Sequence, residues 1–134
     1  MSAENQATFD HVSLSLAKQG RPSADVTPEE VRCLYRAPNG DRCAAGHCFE
    51  GTAGIDFQED SFCTNERIAV LLAAAGHNPL FVREMQRVHD NAARMSGGEP
   101  VRWLQEWAKG MRRLATRENL STAVLDAALA GKVD

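Results

Sequence analysis

Residues 78–119 read NPLFVREMQRVHDNAARMSGGEPVRWLQEWAKGMRRLATREN, two helical patterns separated by a double glycine. Asn78 suits an N-cap and Pro79 the first helical position. Phe81, Met85, Val88, Ala92 and Met95 then recur at alternating four- and three-residue steps, the stripe of an amphipathic helix. Gly97-Gly98 stops that pattern. A second stripe of Val101, Leu104, Trp107 or Ala108, Met111 and Leu114 follows. With so short a connection, the two helices must pack antiparallel. Any fold for this chain has to be built on that pair.

Around it the pattern is helical with one exception. Phe9, Val12 and Leu16 share a helical face that ends at Gly20. TNERIAVLLAAAGHN has Thr64 or Asn65 as cap and Gly76 as terminator. Ser121 can cap a last short helix carrying Val124, Leu125, Ala128 and Leu129. The exception is the stretch CLYRAPNGDRCAAGHC, Cys33 to Cys48. Pro38, Asn39 and Gly40 form a strong turn signal between two β-compatible segments. We therefore expect antiparallel strands near residues 31–36 and 41–46, preceded by one helical turn at Thr27–Glu30 and followed by a long irregular connection over Gly46–Phe62. The expected class is α+β, mostly α, with four to five helices around one β-hairpin. The 134 residues form a single domain, with residues 121–134 as a C-terminal extension helix.

Net charge is −3, which argues against a general nucleic-acid binder. No apolar run approaches the ~20 residues of a membrane span. The first ten residues are polar and acidic, with no basic or apolar leader segment, so a cytoplasmic location is expected. In that compartment the four cysteines are read first as thiols, then as metal ligands, and last as disulfides.

CLYRAPNGDRCAAGH fits the pattern C-x-Y-R-x-P-x-G-x-x-C-A-x-G, preceded by LAKQGRPS and followed by Gln86, His89 and Asp90 as Q-x-x-H-D. In this order, over roughly residues 8–120, the chain resembles small proteins of tailed bacteriophages and prophages. After the pattern's last glycine that family continues with an aliphatic residue, Pro and Asp. Here the sequence is His47-Cys48-Phe49-Glu50. The resemblance implies a phage or prophage accessory protein, bacterial-cytoplasmic and non-enzymatic, without a cofactor. Such a protein would bind a host or phage protein and could inhibit host defence.

Three groups of residues are candidate sites. Trp103 with Arg87, Arg112 and Arg113 combines residue types enriched at interface centres, and the two long helices would present them outward. Nucleic acid ranks below protein as the partner of this basic face. Cys33, Cys43, His47, Cys48 and Cys63 are numerous enough for a zinc-binding module, yet no C-x-x-C pair occurs among them, and buried packing thiols are the simpler reading. His89-Asp90, with His77 and Asp126, offers the residue types of a metal-dependent phosphohydrolase. The simpler reading there is a histidine at the edge of the apolar stripe.

Overall fold

A computed structural model describes residues 3–26, 31–33, 42–48 and 72–132. Among them, five helices carry the fold: α1 (Ala3–Gln19), α2 (Ala44–Cys48), α3 (Pro79–Ser96), α4 (Pro100–Glu118) and α5 (Ala123–Leu129). Residues 72–74 are also helical.

The α3–α4 hairpin is specified by local chemistry. Asn78 Oδ1 accepts the backbone N–H groups of Leu80 (3.0 Å) and Phe81 (3.4 Å), and Pro79 opens α3. At the other end Gly97 and Gly98 take φ of +62° and +83°. This left-handed turn lets Gly98 N–H reach Ala93 O at 3.0 Å, closing the helix in a Schellman-type cap. Glu99 then caps α4, its carboxylate accepting Arg102 N–H at 2.8 Å. Asn119 repeats the left-handed exit at φ +57°, with Leu120 N–H on Ala115 O at 2.8 Å.

The apolar stripes enter one core. Phe9, Val12 and Leu16 of α1, Phe81, Val82 and Met85 of α3, and Trp103, Trp107, Met111 and Leu114 of α4 are all buried in it. α5 packs on α1 and adds Leu125 and Leu129. Two glutamines clip α1 to distant backbone. The Gln6 side-chain amide pairs with both backbone groups of Ser121, at 2.8 and 3.0 Å, and that of Gln19 with both backbone groups of Arg42, at 2.9 Å each. Each side chain thus acts as a peptide unit would in a β-ladder.

The expected α+β architecture is not found. Where a second strand was expected over 41–46, residues Ala44–Cys48 form α2, with His47 N–H on Cys43 O at 2.9 Å. Among the described residues, Val31–Cys33 pairs backward along the chain. It lies antiparallel to Ala24–Val26, Asp25 opposite Arg32, in a clip of three residues per strand. Gln19 bonds both the N–H and the C=O of Arg42, just ahead of α2. The packing layers are helices. The turn at Pro38–Gly40, the Thr27–Glu30 turn and the Thr64/Asn65 cap lie outside the described residues, as does the Gly46–Phe62 connection after Cys48. Val101, expected inside, is 60% exposed, and Met95 at the end of its stripe is 59% exposed. Among the described residues no helix is long and apolar enough to cross a membrane.

Gly110 sets how closely α3 and α4 approach. A Cβ there would lie 2.6 Å from Val88 Cγ1, and 3.5 Å from Val88 Cβ and Cγ2. Valine in a helix is held to one rotamer, so it cannot swing clear. Gly110→Ala gains ~1 kcal/mol of helix propensity but forces the helices apart at ~1–3 kcal/mol. The expected result is a lower thermal midpoint. Adding Val88→Ala to it should cost less than Val88→Ala does in the parent chain, a coupling that a double-mutant cycle measures.

Candidate functional site

The Q-x-x-H-D residues lie on the inner side of α3. Gln86 Nε2 donates to Asp90 Oδ1 at 2.7 Å, and His89 Nδ1 donates to the same oxygen at 2.9 Å. This orients the imidazole so that Nε2 accepts the backbone N–H of Ser23 at 3.0 Å. Ser23 N–H can only donate, so Nε2 must present its lone pair. Both ring nitrogens of His89 are therefore committed, and the ring is fully buried. His89 is a latch holding the chain after α1 onto α3. The other proposed members of a hydrolase site are elsewhere. His77 precedes α3 by two residues, so roughly 15 Å or more of helix rise separates it from His89. Asp126 on α5 holds Arg112 at 3.1 Å.

The QG…S residues belong to the same latch. Gln19 Oε1 accepts Arg42 N–H and His47 Nε2–H at 2.9 and 3.0 Å, and its amide group donates to Arg21 O and Arg42 O at 2.7 and 2.9 Å. That uses the full capacity of an amide side chain. Cys43 and Ala44 beside it are completely buried. The motif residues that are described thus share a structural task.

Of the zinc set, Cys43 and Cys48 are buried at the two ends of α2, and His47 Nε2 is engaged by Gln19. The Cys33 side chain and Cys63 lie outside the described residues. No group of three potential metal ligands occurs among the described residues.

Three histidines meet along α1. His11 Nε2 donates to His47 O at 3.2 Å, and the His11 and His77 rings stack at 6.5 Å between centroids. His77 Nδ1 is hydrogen-bonded to Thr8 Oγ1 at 2.7 Å. Burial first, and then the neighbouring His11, holds the His77 pKa below the usual histidine value of 6.5, against an opposing pull from Glu4. The unfolded chain therefore takes up this proton more readily than the folded one. Its stabilising contribution is complete above that value and is lost as pH falls through 6.5 toward the lowered value. Thermal midpoints measured from about pH 7.5 down to about pH 5 should fall, and His77→Gln should flatten that slope.

The interface candidates divide. Trp103 is fully buried. Its indole N–H donates to His89 O at 3.2 Å, and its ring stacks on Trp107 at 5.3 Å and meets His89 edge-on at 5.6 Å. It is a core residue, which corrects the expectation of an exposed anchor. Arg112 points toward α5 and its ion pair with Asp126. Arg87 and Arg113 do come together, on the outer face of the α3–α4 pair. They line a groove of about 630 Å³ with Arg94 and Arg117 on its rim and Val88, Ala92 and Leu114 along its floor. Arg94 and Arg117 were legible as basic helix positions but not as neighbours of Arg87 and Arg113. Asn91, Met95, Glu84 and Glu106 complete the lining.

Comparison with protein-family models, with curated proteins and with solved structures yields no match for this chain.

Proposed function

We propose that this chain is a non-enzymatic accessory protein of phage or prophage origin that binds a host or phage protein through the outer α3–α4 groove. The origin and a role in inhibiting host defence rest on the sequence resemblance, and the cytoplasmic location on the polar, acidic first ten residues. The observation that carries the binding reading is the groove itself: a concave strip with an apolar floor and four arginines, on a chain whose net charge is −3. Arginine around an apolar floor is a residue combination enriched at interfaces. His89 and Asp90, which an enzymatic reading would need, are consumed by the latch to Ser23 and Gln86.

Site-specific photocrosslinking tests the reading. A photoreactive residue replacing Asn91, inside the groove, is expected to capture a discrete protein partner in bacterial host cells. One replacing the exposed Leu14 on α1 should not. Capture from Leu14 and not from Asn91 would move the interface off the groove.

A further inference from the structure

Resting on that protein-binding reading, we infer that the groove takes an acidic amphipathic helix of the partner, laid between α3 and α4. The dimensions fit such an occupant. The lining on α3 runs from Glu84 to Met95, about 16 Å of helix rise, or three turns. The floor is low because Ala92 is small and Gly110 has no side chain, so the ridge of a third helix can settle between the two. Val88 and Leu114 line this floor, and Met95, exposed at one end, extends the apolar strip.

Charge selects the sign of the occupant. Val88 faces Gly110, and Glu84 meets Arg117 at 3.6 Å, which fixes the antiparallel register. That register sets Arg87 and Arg113 on opposite banks of the floor. Glu84 is shared by Arg87 (3.5 Å) and Arg117, Arg117 also meets Glu118 at 3.5 Å, and Glu106 is held by Lys109 at 3.1 Å. Among the described residues Arg94 reaches only the amide oxygen of Asn91, at 3.4 Å. Arg113 has no hydrogen bond or ion pair among the described residues. Arg94 on one bank and Arg113 on the other therefore carry positive charge unanswered by a carboxylate among the described residues, on both sides of an apolar floor. A helix with a leucine-type stripe flanked by carboxylates answers both features, as flanking charges do beside a coiled-coil seam. A nucleic-acid strand answers them less well. Among the described residues no aromatic ring lines the groove for a base to stack on, and Glu84 and Glu106 would face its phosphates.

The test uses the full chain and a labelled helical peptide of ~14 residues, with Leu at helical spacing and Glu on both flanks, read by fluorescence anisotropy. Binding is expected, weakening as NaCl rises from about 50 to about 500 mM. Arg87→Glu and Arg113→Glu should each weaken it by about tenfold, and the double reversal should now prefer the same peptide with Lys for Glu. Arg113 has no partner in the described fold, so circular dichroism of Arg113→Glu should match the parent. Equal binding of the Lys peptide by the parent chain would overturn the inference. So would indifference to both reversals, tighter binding of a single-stranded oligonucleotide, or no peptide binding. In each of those cases a partner crosslinked from Asn91 would leave the broader binding reading standing. Absence of that crosslink alongside peptide binding would instead leave the groove chemistry intact and remove the cellular partner.

Discussion

Trp103→Ala is expected to lower the unfolding free energy by about 3–5 kcal/mol, a large part of the stability of an ordinary domain. The residue is fully buried between His89 and Trp107, so truncation empties the largest class of side-chain volume the core contains. It also removes the indole donor that reaches His89 O across the α3–α4 interface. Denaturant titration reads the loss as a shifted midpoint with an unchanged slope. A loss under ~1 kcal/mol would mean that the ring is not packed as described. Trp107 offers a control within the same stack. Its indole N–H is buried without an acceptor among the described residues, so Trp107→Phe removes an unsatisfied donor and should be tolerated better than Trp103→Phe.

His89→Ala should destabilise by ~3 kcal/mol, from two sources. The side chain is completely enclosed, so its removal leaves a void. The Ser23 N–H also loses its acceptor at a buried position, which by itself costs ~1–3 kcal/mol. His89→Gln separates the two contributions. An amide oxygen placed near the former Nε2 can accept Ser23 N–H, while the bond to Asp90 is lost. The glutamine variant should therefore be more stable than the alanine variant. Amide hydrogen exchange gives a local readout: Ser23 N–H should be protected in the parent, unprotected in His89→Ala, and partly protected in His89→Gln. If the two variants were equally unstable, the latch to Ser23 would contribute nothing measurable.

The contrast between adjacent arginines shows where sequence reading stops. Arg112 and Arg113 carry the same chemistry, but neighbouring helix positions point about 100° apart. One turns to Asp126 on α5 and the other to the groove. Which is which depends on where α5 docks, and α5 docks through α1. Trp103 is the same problem on the apolar side. Its position beside the stripe is compatible with either side of the core's edge. It is buried because its indole packs against His89 of the facing α3 and stacks on Trp107.

What the sequence determined by itself is local. Asn78-Pro79, Gly97-Gly98 and the 3.6-residue stripes specify the α3–α4 hairpin because caps and periodicity act within a few residues. The helical face of Phe9, Val12 and Leu16 was legible for the same reason. The tertiary structure alone decided the rest, because those choices are made between residues far apart in the chain. Gln19 reaches Arg42 across 23 positions, while His89 reaches Ser23 across 66. Gly110, a weak point in an isolated helix, becomes the place where Val88 fits. Side-chain amides and imidazoles show no periodic pattern that announces their partners. Their roles emerge only when the helices have packed and the remaining buried backbone groups must be satisfied.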